Sequence, residues 1–269
     1  MQIDPAPELS LYIKHFLILE NDTLNGVVHR LIPDGNPGIV FHYETPLLQN
    51  AGGNTPYIRQ PKSFIYGQVT ATIDLISEGR IGMIVVVLQP YSLNALTKIP
   101  AHHLTNTNRA LSGIWGQQGS QLEKAVLSTH DMHARLALIE TFLTGKLQMA
   151  PDPIVKNSID WMKAHPDSAS IHELVAQLPI GERQLERAFK AHVGVSPKLY
   201  ASMIRLQYFL RSIRQPGEKN LTNLAYGSGY YDQAHLVRTF KRKSGITPSR
   251  YRQVKNFLAL NFIQFADSK

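Results

Sequence analysis

Residues 221–251 read LTNLAYGSGYYDQAHLVRTFKRKSGITPSRY, a pattern of helix, turn and helix. Leu221, Leu224 and Ala225 fall at i, i+3 and i+4, which puts them on one apolar helical face. Gly227 and Gly229 interrupt that face, and glycine accepts the positive φ that such turns use. A second helical period starts at Tyr231, with Leu236, Val237 and Phe240 as its inward side. Gln233, His235, Arg238, Lys241 and Arg242 are left facing outward. Amide, imidazole and guanidinium groups above an apolar back suit a helix entering the DNA major groove.

The same pattern occurs 51 residues upstream. Leu185 pairs with Leu236, Arg187 with Arg238, Phe189 with Phe240 and Lys190 with Lys241. The match continues through Gly194 with Gly245, Pro197 with Pro248 and Tyr200 with Tyr251. Two copies are too few for a solenoid, so the repeat predicts two related reading units. Each glycine fits a left-handed helix end. Ser196-Pro197 and Thr247-Pro248 each supply an N-cap hydroxyl and a first-turn proline.

The paired motifs LERAFKAHVGVSPKLY and LVRTFKRKSGITPSRY, preceded by Ala176 and Ala225, resemble the AraC/XylS family of bacterial transcription regulators over residues 153–253. Pro179 stands where glycine is commoner in the first turn, and Ala234 where many relatives carry serine. The resemblance implies base-edge contacts from Arg183, Glu186 and Arg187 in the first reader helix, and from Gln233, His235 and Arg238 in the second. Arginine would read guanine and glutamine adenine. Lys190, Lys241 and Arg242 lie further along and would hold phosphates. For a single charged residue, a solvated helix face explains as much; matching positions in a repeat favour contact.

Charge supports the same partner. Residues 1–150 hold 10 Lys and Arg against 11 Asp and Glu, a net of −1; residues 151–269 hold 18 against 9, a net of +9. The excess therefore lies where the repeat is, as polyanion binding requires. With no cysteine, disulfides and thiolate metal sites are excluded. The start, MQIDPAPELS, lacks a signal-peptide pattern, and no apolar run approaches membrane-spanning length, so a cytoplasmic protein is expected.

Residues 10–90 contain strand-like runs: LYIKHFLILE, GIVFHYE, SFIYGQV and RIGMIVVVLQP. Ile81–Leu88 is apolar enough for a strand covered on both faces. Turn residues crowd 32–38 and 49–56. Helical periods follow over 92–98, 122–128 and 131–146. The fold expected is α+β: a β-rich barrel or sandwich with trailing helices (1–150, a sensor or dimerisation domain), then an all-α domain (151–269). Within the latter, 170–193 and 221–243 are the helix-turn-helix units and 197–214 the connecting helix. A helix of that length spans roughly 26 Å, compatible with readers in successive major grooves.

Catalysis has little support, and neither enzyme activity nor a cofactor is expected. There is no GxSxG, P-loop or dinucleotide fingerprint. His102-His103 and His130 with His133 are the close histidine pairs, short of the three or four ligands a metal needs. Asp34, between His29 and His42, reads as an Asx-turn residue rather than a polar site. The rival reading is a β-domain enzyme or metal-binding module fused to a DNA anchor. The expected partners are double-stranded DNA, a small-molecule effector, RNA polymerase and a second copy, with no membrane. The apolar tail Phe257, Leu258, Leu260, Phe262, Ile263 and Phe265 has two readings: it extends the last helix on its own domain, or it contacts the sensor half or a second chain.

Overall fold

Strand β9 (Ile81–Leu88) is buried at all eight positions, as its uninterrupted apolar sequence predicts. It is the centre of an antiparallel sheet and has β2 (Ile13–Asn21) on one side and β4 (Gly38–His42) on the other. That first sheet runs β1 (Gln2–Ile3), β2, β9, β4, β7 (Ser63–Tyr66) and β10 (Asn108–Ala110). One face carries Phe16, Ile18, Ile39, Phe41, Ile84 and Val86 into a core with α1 (Ser92–Thr97), α2 (Leu111–Ser128) and α3 (Met132–Thr144). The other face looks toward a second sheet. The computed structural model describes the whole chain except residues 23–25, 51–55, 148, 168–169, 216, 218–219 and 266–269.

The second sheet is also antiparallel. It runs β11 (Phe257–Ala259), β12 (Phe262–Phe265), β3 (Val27–Leu31), β8 (Ile73–Ser77), β5 (Leu48–Asn50) and β6 (Ile58–Arg59). The two sheets stay open among the described residues, so the arrangement is the sandwich-like one and not the closed barrel. Strands β3 and β8 escape the sequence pattern because their inward residues include His29 and Ser77. Helix α2 begins eleven residues before the expected 122, and Gly116, at φ 56°, kinks it where the helical period fails.

The C-terminal half follows the repeat. Helix α4 (Pro153–Ala164) starts on Asp152, whose carboxylate accepts from the Ile154 and Val155 amides at 2.9 and 3.0 Å. The first unit is α5 (Ile171–Ala176) and α6 (Glu182–His192); α7 (Pro197–Ser212) connects it to α8 (Leu221–Gly227) and α9 (Gln233–Ser244). Helix α10 (Pro248–Gln253) follows. Ser196 and Thr247 accept from Leu199 and Arg250 amides at both repeat-related N-caps. The connecting helix expected over 197–214 is α7, which ends at Ser212. Helix α7 serves two cores: Tyr200, Ala201 and Ile204 close the first unit, and Leu206, Phe209 and Leu210 the second.

The tail corrects one reading. It is not a continuation of the last helix: Val254 is extended (φ −64°, ψ 125°), and the chain turns back as the hairpin β11–β12. Strand β12 pairs with β3 through Phe262–Leu31, Ile263–Arg30, Gln264–His29 and Phe265–Val28. Alternation then sends Phe262 into the inter-sheet core and Ile263 into the core of the second unit.

Candidate nucleic-acid interface and effector cavity

In α6, Leu185 and Phe189 are buried while Arg183, Glu186, Arg187 and Lys190 are exposed. Helix α9 repeats this, with Leu236 and Phe240 buried and Gln233, Arg238, Lys241 and Arg242 exposed. Among the described residues, Arg183, Arg187, Arg238, Lys190, Lys241 and Arg242 have no ion-pair partner within the chain. Two expected contacts are already engaged. Gln233 Oε1 accepts from Thr222 Oγ1 at 2.9 Å, which ties it to α8. His235 is half-buried, its ring meeting Tyr230 edge-on at 5.6 Å, and its Nδ1 accepts from the Tyr231 amide at 3.4 Å. That acceptor role leaves the proton on Nε2, so the imidazole can still donate.

The recognition helices are set by tight backbone positions. Asp232 caps α9, accepting from the His235 amide at 2.6 Å. Gly194 and Gly245 take φ 97° and 73° at the helix ends, where the repeat predicts left-handed backbone. Lys243, absent from the sequence reading, is half-buried against α7 and donates to the Ser202 carbonyl at 3.2 Å. Burial, with Arg242 and Arg205 adding, pushes its pKa down to about 8, so it anchors α9 instead of meeting phosphate. Gly229 has φ 70°, and a Cβ there would lie 1.8 Å from the Asp167 carbonyl oxygen, ahead of the first unit. Gly229→Ala is expected to cost about 2 to 3 kcal/mol through the left-handed backbone and this clash. Chemical denaturation checks it, and an unchanged midpoint would refute the close approach.

Each unit is anchored to a different side of the β-rich half. The first meets the segment beyond the first sheet: Tyr91 enters its core, and Thr105 Oγ1 donates to the Gly194 carbonyl at 2.9 Å. The second meets the second sheet. Ile32 is fully buried among Leu206, Phe209, Leu236 and Phe240, a burial of about 1.5 to 3 kcal/mol. The turn that follows touches the connecting helix. Gln207 Nε2 donates to the Pro33 carbonyl at 2.8 Å, and a Cβ on Gly35 would lie 3.1 Å from the Tyr200 ring. Asp34 makes the expected Asx turn, accepting from the Asn36 amide at 3.0 Å.

Between the sheets, under α7, lies a cavity of about 990 Å³. Val40, Phe64 and Val85 form part of its floor, and Phe262 and Leu258 bring the hairpin to its wall. Lys14, Lys163 and Arg211 contribute cations and Asp34 and Asp167 carboxylates. Burial lowers the Lys163 pKa, and Lys14 and Arg211 add to the shift. Asp34 and the tail residues Leu258 and Phe262 stand out in the sequence, but not as parts of one cavity, because facing positions on separate strands become neighbours only once register is known. The histidine pairs are not at the cavity. The His102 and His103 rings contact one another at 4.1 Å, and His130 and His133 flank the start of α3. Among the described residues, no three potential ligands gather to hold a metal.

Two helix-turn-helix units joined by one helix, beneath a two-sheet half with an internal cavity, define a double helix-turn-helix DNA-binding protein. Residues 174–254 match a family described as a helix-turn-helix domain, and residues 1–109 one described as Domain of unknown function (DUF6597). The chain is 28% identical over 129 residues to an AraC-like transcription regulator of Streptomyces antibioticus, covering 48% of this chain and 42% of that protein. It is 28% identical over 103 residues to the transcriptional activator RhaS of Escherichia fergusonii, covering 38% and 37%. The matched part thus spans less than half the length of these relatives. ToxT of Vibrio cholerae shares the fold across 88% of this chain and 97% of its own, with a TM-score of 0.50 at 13% identity. Through its C-terminal half the chain is similar to transcription regulators of the AraC family.

Proposed function

We propose that this chain is a sequence-specific transcription regulator that reads two successive major grooves of double-stranded DNA and is controlled by a small molecule held between its two sheets. The observation that carries the reading is the pair of repeat-related helices α6 and α9, each with buried apolar residues and unpaired outward cations. Arg183, Glu186 and Arg187 meet base edges from the first helix, and Gln233, His235 and Arg238 from the second. Lys190, Lys241 and Arg242 meet phosphates. An effector between sheets that hold different reading units would change their relative placement, and with it DNA affinity or the presentation of RNA polymerase contacts. The same reading places the protein in the cytoplasm, with pairing of two copies on DNA as its assembly. Among the described residues, no helix is long and apolar enough to cross a membrane.

DNA selection by the purified chain, repeated with Arg187→Ala and Arg238→Ala, tests the assignment. One motif with two half-elements is expected, each variant relaxing its own half and weakening binding by about 1 to 3 kcal/mol. Lys241→Ala should instead weaken all sequences alike and reduce the salt dependence by about one counterion. Salt-sensitive binding without an enriched motif, indifferent to both arginines, would leave a non-specific polyanion binder.

A further inference from the structure

The register of the first sheet orders the cavity floor. Asn108, Tyr66, Gly38, Val87 and His15 form one cross-strand row from β10 to β2. Phe64, Val40, Val85 and Leu17 form the next row on the same face. Four strand spacings of about 4.8 Å make the row roughly 19 Å long. Its β2 end carries Lys14 and His15; its β10 end carries no cation among the cavity residues. An amide cluster stands there instead. Gln60 Nε2 and Asn108 Nδ2 both donate to Gln49 Oε1, at 2.8 and 2.7 Å. Behind them, the buried His42 meets Gln60 Oε1 through Nε2 at 3.1 Å.

Two accepted bonds fix which way the Gln49 amide points. Among the described residues, its Nε2 donor and the Asn108 Oδ1 acceptor have no protein partner, and both residues line the cavity. One open donor beside one open acceptor matches a group that both donates and accepts. The group must also be uncharged. Burial keeps His42 neutral, its pKa lowered to about 4, and the charged cavity residue felt at Tyr66 is Asp34, which is negative. An anion placed here would lose its hydration with no countercharge, at far greater cost than a neutral amide or hydroxyl.

Resting on the effector reading above, we propose that the cavity binds an apolar molecule through an uncharged donor–acceptor head group, such as a carboxamide, seated on Gln49 and Asn108 with its body across Val40, Phe64 and Val85. Gln49 sets the specificity.

Calorimetric titration of the full chain with octanamide and with octanoate at pH 8 tests this. Octanamide should bind more tightly than octanoate. Gln49→Leu should weaken octanamide about tenfold and leave octanoate unchanged. Gln49→Glu keeps an oxygen for Gln60 and Asn108 but puts a second oxygen and an uncompensated charge where the donor was, so it should weaken octanamide at least as far and repel octanoate, with a melting curve checking the fold. Lys163→Gln should leave octanamide binding as it was. If octanoate binds better, is lost in Lys163→Gln and ignores both Gln49 variants, the head group is an anion at the basic end; the proposal falls and the effector reading stands. If neither compound binds, and DNA affinity is indifferent to both at millimolar concentration, the effector reading falls and takes the proposal with it.

Discussion

A chain ending at Asn256 is expected to keep its first reading unit docked on the β-rich half and to release its second. The hairpin is the second unit's main weld. Ile32 donates from its amide to the Asn261 carbonyl at 2.7 Å and accepts from Asn261 Nδ2 at 3.2 Å, while the Tyr251 hydroxyl donates to the Leu260 carbonyl at 2.9 Å. The Arg214 guanidinium stacks 3.8 Å above the Phe257 ring. Phe262 and Ile263 alone bury about 1.5 to 3 kcal/mol each, and truncation also bares one edge of β3 and uncovers Ile32. The sum rivals the whole stability of an ordinary domain. Hydrogen exchange should therefore quicken in 27–31 and α9, and not in α6. Ile263→Ala, costing about 2 to 5 kcal/mol, is the milder version with the hairpin kept. Unchanged protection of 27–31 in both variants would remove the hairpin from any role in docking.

The same truncation bears on control. Because the hairpin walls the cavity and follows α10 in the chain, it is a direct physical path from a molecule held in the cavity to the second reader. The first unit reaches the cavity by a different route, through Tyr200 and Ile204 of α7, and rests on Tyr91 and Thr105. Loss of the hairpin should accordingly leave half-site recognition by Arg187 intact and abolish dependence on the spacing between half-sites.

What the sequence disclosed and what it withheld divide along local and non-local lines. The reader helices, their caps and the left-handed Gly194 and Gly245 are set by neighbours in the chain, and period and repeat expose them. Ile81–Leu88 was legible because burial on both faces removes alternation. The cavity was not, since Gln49, Gln60 and Asn108 meet only through strand pairings far apart in sequence. The tail misled in a similar way. Its apolar residues fit a helix face as well as a strand, and only the partner strand β3 decides between them.

The second large effect expected is loss of stability in mild acid. His29, on β3, faces between the sheets, is fully buried and, among the described residues, has no hydrogen-bond partner at either ring nitrogen; its ring lies 5.4 Å from Phe262. Burial lowers its pKa to about 4, and does the same to His42, against the gain from Gln60. Both rings are neutral in the folded chain near pH 7 and titrate at about 6.5 when unfolded. Below 6.5 the unfolded state therefore takes up protons that the folded state refuses. Stability is complete above that pH and falls as pH drops toward 4, by about 2 kcal/mol per ring at pH 5. His29→Leu should remove its share of this slope while leaving the pH 8 midpoint little changed, because an apolar side chain replaces an unpartnered one. Urea denaturation of the chain and of this variant from pH 8 to 4.5 measures it. Parallel curves with equal acid slopes would mean that His29 is hydrated in solution and that the inter-sheet space opens to water beside Phe262.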